Sequence, residues 1–212
     1  MRMLDALLDI IFPPSRREKS IQTLTTEDFS VHPHTFTLNG TSIISLLSYK
    51  DANAQHLIRA LKYNGSPVAA SLCAHILEDF LREETAYIET FSDKMAVITS
   101  VPLGKQRKRE RGFNQTALIL KELQEIFTDI GIADDILIRI KETKPQTTLS
   151  RKERLENVAD AFALTKRGEA LPKNTLVIVI DDVTTTGATL EAASRPLTQN
   201  GIQVLPLAIA HG

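Results

Sequence analysis

The segment "VIVIDDVTTTGATL", residues 177 to 190, sets two adjacent carboxylates and several hydroxyls directly after a run of apolar residues. Ionised carboxylates only accept hydrogen bonds, so Asp181 and Asp182 suit neighbouring hydroxyls, as on a ribose, or a hydrated divalent cation. Thr184, Thr185, Thr186 and Thr189 supply hydroxyls, and Gly187 and Ala188 keep the backbone open to a close ligand. A helix starting there presents unpaired N–H groups that favour an anion. Acids beside an anion cradle describe a pocket for a sugar phosphate. The plainer reading is an Asp cluster that merely caps the next helix.

These residues need a particular scaffold. Leu176 to Ile180 form a continuous apolar run of β-branched character, which suits a strand buried on both faces of a parallel sheet. Leu190, Ala193 and Leu197 follow at helical spacing, so the segment reads strand, loop, helix, with the acids at the strand's end. In open α/β sheets ligands bind at the carboxyl ends of the strands. Elsewhere the pattern predicts a strand from Thr41 to about Tyr49, a helix carrying Leu57, Ile58 and Leu61, and a helix from Pro67 to about Glu84. A strand ends at Pro102, Ile119, Leu123 and Ile126 mark a helix, and Ile136–Ile140 read as a strand. "SRKERLENVADAF" reads as helical, and a last strand starts near Leu205. Strands alternating with helices predict an α/β fold with a parallel sheet and right-handed crossovers.

In such a sheet the loops after the strands gather on one edge, and two of them are cationic. The first, "GKQRKRERGFNQ", carries Lys105, Arg107, Lys108, Arg109 and Arg111; the second, "ETKPQTTLSRKERLEN", carries Lys144, Arg151, Lys152 and Arg154. Cations there would stabilise negative charge developing on a pyrophosphate leaving group. A solvated charged face is the alternative for either run. The second loop, long and polar, has the character of a lid that excludes water on closing.

Composition bounds the rest. A chain of 212 residues with 42% hydrophobic composition is enough for one domain with a small appendage. A formal net charge of -1 argues against a general nucleic-acid coat. The single cysteine, Cys73, excludes intramolecular disulfides and cysteine-cluster metal sites, suits a reducing cytosol, and reads as a small buried hydrophobe. Leu4, Leu7, Leu8 and Ile11 predict a short amphipathic helix that Pro13 and Pro14 stop; Asp5 and Asp9 speak against a signal peptide. No run approaches the roughly 18 apolar residues of a membrane span, so a cytoplasmic protein without membrane contact is expected. Residues 13 to 42 read as an irregular or weakly β connection, and His32 and His34 as loop histidines without a role.

Five stretches, "LLDIIFPP", "LIRALKYNG", "VPL" with "RKRERGFNQ", "QTTLSRKERLENVADAF" and "DDVTTTGATL", together resemble the ComF family of phosphoribosyltransferase-like proteins. The last also resembles the 5-phosphoribosyl-1-pyrophosphate (PRPP) signature of type I phosphoribosyltransferases. The resemblance implies that fold, binding of PRPP with Mg2+, and a link to DNA uptake in competent bacteria. It implies that Asp181 and Asp182 hold the ribose hydroxyls, Thr184 to Thr189 wrap the 5-phosphate, and Arg107, Arg109 and Arg111 face the pyrophosphate. Gln146, Arg151 and Arg154 fall in the catalytic mobile loop. The division implied is residues 1–42 as an N-terminal helix and irregular segment, and 43–212 as the transferase domain, with 43–90 as a hood over the acceptor.

Two positions depart from the pattern. ComF-like chains place a four-cysteine zinc module after "FPP"; Ser15 to Ser20 hold no cysteine, so no zinc is expected. Hypoxanthine-type transferases carry an acidic base three residues after the second aspartate, where this chain has Thr185. The expected activity is therefore transfer of ribose 5-phosphate to a nitrogen acceptor that the sequence does not name. A non-catalytic PRPP or nucleotide sensor, and a DNA-uptake component gripping single-stranded DNA through Arg107, Lys108, Arg109 and Arg111, stay as alternatives. Aromatic residues at 5% make stacking platforms for single strands scarce. Oligomeric state leaves no signal.

Overall fold

The computed structural model describes residues 21–91, 95–128, 130–142 and 157–212. Six strands form one sheet in the order β1-β2-β8-β7-β3-β4. They are β1 (His34–Leu38), β2 (Thr41–Ser48), β3 (Met95–Ser100), β4 (Gly131–Ile132), β7 (Thr175–Thr184) and β8 (Gln203–His211). All neighbours run parallel except β1, which is antiparallel to β2. The fold is thus α/β with a mostly parallel sheet flanked by helices, as in type I phosphoribosyltransferases.

The helices are α1 (Ala52–Asn64), α2 (Pro67–Phe91), α3 (Lys105–Arg111), α4 (Gln115–Ile126), α5 (Lys166–Glu169) and α6 (Ala188–Gln199). The centre of the sheet is buried on both sides because successive side chains point to opposite faces. Along β7, Ile178 and Ile180 join the cluster containing Leu57, Leu77 and Leu123 from α1, α2 and α4. Val177 and Val179 join the opposite cluster, with Leu190, Ala193 and Leu197 of α6. That two-sided burial is why β7 reads as an unbroken apolar run. Cys73 is fully buried among the first cluster, and burial pushes its thiol pKa well up, so it acts as a hydrophobe.

Three sequence expectations change. The strand at Ile136–Ile140 is β5 (Leu137–Arg139), outside the main sheet: it pairs antiparallel with β6 (Phe162–Leu164) in a separate ribbon. The sixth place in the main sheet goes to β4, whose two residues are too few to carry a period. Residues 34–38, read within an irregular or weakly β connection, form the regular strand β1, joined to β2 by a tight turn in which Asn39 (φ 50°) and Gly40 (φ 81°) both take left-handed conformations. That is the turn whose twist matches a two-residue hairpin. His34 is accordingly a strand residue. Residues 43–90 supply the sheet strand β2 and helices α1 and α2. The expected N-terminal helix, and Gln146, Arg151 and Arg154 of the expected lid, lie outside the described residues; of the stretch expected to be helical, Asn157 and Val158 are helical and Phe162 opens β6.

Candidate functional site

From β3 the chain passes to β4 on one side, and from β7 to β8 on the other. The loops after β3 and β7 therefore part, and such a switch point opens a crevice at the carboxyl ends of the strands. Pairing between β3 and β7 reaches Ser100↔Ile180, and the Val101 N–H donates to the Ile180 carbonyl at 2.9 Å. Beyond that β7 keeps only β8, through Asp181↔Ala208 to Thr184↔His211. The two acids thus do not end the strand, as the sequence reading had it. They stand inside it, where one edge has been released into the crevice.

Adjacent strand residues diverge, and the two carboxyls have different surroundings. Asp182 is buried at 5% exposure and accepts from the side-chain amide of Gln115 on α4 at 3.1 Å. Its Oδ1 accepts from the Val183 N–H at 2.8 Å. Asp181 accepts from the Asp182 N–H at 2.9 Å. Desolvation first, and then the like charge of Asp182, push the Asp181 pKa up to about 8, with Lys62 of α1 opposing. Carboxyls perturbed in this way by burial and a like charge cluster at functional sites.

Cations stand near. The Arg111 guanidinium donates to Gln115 Oε1, and Gln115 in turn donates to Asp182, so Arg111, Gln115 and Asp182 form a chain from α3 through α4 to β7. Burial holds the Arg111 pKa below its ordinary value, while Asp182 raises it and Arg107 lowers it. Arg139 of β5, also depressed by burial, lies in the field of Arg107, Glu142 and Asp181 and over the Phe162 ring at 5.1 Å. Arg107 and Arg111 are one helical turn apart and share a face of α3. Arg109 is exposed, as are Lys105 and Lys108. Of the three arginines expected at a pyrophosphate, the structure sets Arg111 in the field of both acids and Arg107 beside Arg111 and Arg139, and leaves Arg109 exposed. Glu142 lies against the start of α3, its Oε1 accepting from the Gln106 N–H at 3.4 Å.

The end of β3 is braced separately. The Ser100 hydroxyl donates to Asp134, the Ser100 N–H donates to the same carboxylate at 2.9 Å, and Asn114 donates to Ser100 Oγ at 3.1 Å. Asn114 also caps α4, accepting from the Thr116 N–H at 3.2 Å. Desolvation raises the Asp134 pKa, offset by its bonds from Ser100. Gln115, Asn114, Ser100, Asp134 and Arg139 were not singled out from sequence. The available signal was the side-chain amide pair of "RGFNQ" directly after the cationic run, and a lone Arg139 inside an apolar strand.

The hydroxyl-rich loop closes on itself. Thr184 Oγ1 accepts from the Gly187 N–H at 3.1 Å, and Thr186 Oγ1 accepts from the Ala188 N–H at 3.4 Å, where α6 begins. The Thr185 carbonyl lies 3.0 Å from Nε2 of His211, and the side chain of Thr189 is half-buried in the first turn. Gly187 has φ 81°, and a Cβ there would come within 2.5 Å of Ile43 Cδ1. Conformation and packing both demand glycine. The loop is thus held at the head of a three-turn helix, with weak hydroxyl caps that an anion can replace.

No protein-family model matches the chain. Among curated proteins it is 32% identical over 157 residues to competence protein ComFC of Bacillus subtilis, covering 74% of this chain and 58% of that one. It is 33% identical over 149 residues to DNA utilization protein YhgH of Salmonella typhi, covering 68% and 61%. Competence protein F of Haemophilus influenzae is 37% identical over 106 residues, covering 50% and 45%. The chain belongs to the ComF family. It spans about half to three-fifths of the length of these ComF-type relatives. The ComF resemblance drawn from "DDVTTTGATL" and its companion stretches is therefore one of descent.

A divalent cation can be tested against the residues in place. Among the described residues no group of three or more His, Cys, Asp or Glu is disposed to hold a metal. Hard cations take several oxygens. The acid pair fits Mg2+ only where a bound diphosphate and ribose supply most of the ligands.

Proposed function

We propose that the crevice binds Mg2+-PRPP and transfers its ribose 5-phosphate to a nitrogen acceptor with release of pyrophosphate. The observation that carries this reading is the convergence of Asp181 and Asp182 with Arg107, Arg111 and Arg139 at the switch point, beside a hydroxyl-rich helix start. The acids accept from the ribose 2- and 3-hydroxyls and hold the ring still. Residues Thr184 to Thr189 take the 5-phosphate, and the arginines take the diphosphate. As the bond from the anomeric carbon to the diphosphate oxygen breaks, positive charge grows on the ribose and negative charge on the leaving group. Fixed carboxylates and guanidiniums then match the charges as they develop, which is catalysis by positioning and electrostatics. Mg2+ would neutralise the diphosphate. Hydrogen bonds donated by the ribose hydroxyls would favour the ionised form of Asp181.

Thr185 stands where a carboxylate base would serve a purine, and its carbonyl is turned to His211. The acceptor therefore has to arrive as a nucleophile that needs no carboxylate there, such as an amine. Lys62 and Tyr63, in the last turn of α1, lie in the field of Asp181 and Arg111 respectively. This supports residues 43–90 as part of the cover over the acceptor. The test is pyrophosphate release from Mg2+-PRPP in the presence of a panel of amines and nucleobases. Turnover with any of them that disappears in Asp181→Asn/Asp182→Asn supports the transferase reading. PRPP binding without turnover leaves the sensor.

A role in DNA uptake is the biological setting suggested by the names of the relatives, competence protein and DNA utilization protein. One structural feature favours a direct DNA contact: Lys105, Lys108 and Arg109 are exposed on α3, away from the acids. Such a patch binds phosphates without sequence preference and weakens steeply with salt. Absence of single-stranded DNA retention at low salt would remove direct contact and leave the transferase reading untouched.

A further inference from the structure

A cavity of about 610 Å3 lies on the other flank of the sheet, where β2 and β8 finish, lined by residues outside the acid crevice. Its size falls in the range of small-molecule sites. Phe29, Leu47 and Ala54 give it an apolar floor. One wall is aromatic: the rings of His34 and His211 stack with centroids 5.4 Å apart and 20° between planes, and Phe36 lies 4.9 Å from His211. At the rim the Asp51 carboxylate is already committed to the Ala54 N–H, at 2.9 Å, as the cap of α1. Among the described residues, no hydrogen bond engages the His32 ring or the Lys50 ammonium. Nor do the described residues gather three ligands for a metal. An apolar floor, a stacked aromatic wall and uncommitted side-chain donors at the mouth are the complement of a planar heteroaromatic ring that carries a phosphate.

We infer that this cavity is a nucleotide-binding site, the base lying against the floor and the His34–His211 wall and the phosphate meeting His32 and Lys50. The site is joined to the crevice by one contact. His211, which walls the cavity, is also the residue 3.0 Å from the Thr185 carbonyl in the hydroxyl-rich loop. A nucleotide seated on the wall therefore contacts the residue that meets that loop. The occupant is either a free nucleotide or the 5′-terminal unit of a nucleic acid strand, since both present the same chemistry.

The test is the 1H–13C spectrum of the five histidine rings of the full chain, titrated with AMP. Saturable shifts of His32, His34 and His211, with exposed His75 on α2 unmoved, are expected. The same shifts should occur in Asp181→Asn/Asp182→Asn, which separates this site from the crevice. His32→Ala with Lys50→Ala, both exposed positions, should lower AMP affinity about tenfold while leaving PRPP affinity unchanged. A 5′-phosphorylated oligothymidylate binding tighter than AMP identifies the strand end as the occupant; AMP binding as tightly or tighter identifies the free nucleotide. Absence of shifts with both probes overturns the inference, as does inorganic phosphate moving the three rings as far as AMP, or wild-type AMP affinity in the double variant. Failure of PRPP to bind would overturn the crevice reading alone, because the residues lining the cavity are not those assigned to PRPP.

Discussion

Gln115 donates its side-chain amide to Asp182 at 3.1 Å and accepts from Arg111 through its carbonyl oxygen, so one residue orients both a buried acid and a cation. An amide is suited to this because it donates at one end and accepts at the other. Gln115→Leu removes both bonds and leaves a buried carboxyl short of a donor. A loss of ~1–3 kcal/mol in urea unfolding at pH 7 is expected. Gln115→Glu keeps the contact to Arg111 but sets a carboxylate against Asp182, and should also be less stable than wild type.

The raised Asp181 pKa has a definite sign in stability. The folded value is pushed up to about 8 from an ordinary 3.8, so between these the folded state binds more protons than the unfolded one. Stability from this group is full below pH 4 or so and is lost as pH rises toward about 8. Asp181→Asn removes the titration. Its unfolding free energy, compared with wild type, should gain from pH 5 to about 8 and level off above that; a difference flat with pH throughout would show that the carboxyl is not perturbed.

The geometry of α3 separates its arginines. Arg107→Ala and Arg111→Ala should each weaken PRPP binding by about tenfold or more, as expected for loss of a charge-assisted contact. Arg109→Ala, from the exposed face, should bind PRPP as wild type and lower the salt dependence of any DNA retention.

Glu142 holds a carboxylate at the start of α3, in the field of Arg139. A diphosphate bound beside Arg139 would lie in the field of this negative charge. Glu142→Gln should therefore tighten PRPP binding, most visibly at low ionic strength, where screening is weakest. Weaker binding would mean that the carboxylate helps to hold Arg139 in place.

The parts of the fold legible in the sequence are those whose burial is local. Val177 to Ile180 are buried on both faces, so the central strand and the acids near its end could be read directly. β4 was illegible because Gly131 and Ile132 carry no pattern. β5 was read as a strand but assigned to the wrong sheet, since Leu137 buried beside Ile138 at 47% exposure fits a two-stranded ribbon as well as a sheet edge. The acids were singled out from type and spacing. Their surroundings were not: Gln115 meets Asp182 from 67 residues away, and Arg139 comes from the separate ribbon. The position of Asp181 and Asp182 inside β7 depends on where β3 departs, which no window on β7 itself contains.

The most direct measurement is a calorimetric titration of PRPP into the full chain with and without Mg2+, repeated on Asp181→Asn/Asp182→Asn. Binding that requires Mg2+ and is weakened at least about tenfold in the double variant is the predicted result. Unchanged affinity in the variant would contradict the role given to the acids, and absence of binding to the wild-type chain would contradict the crevice as a PRPP site.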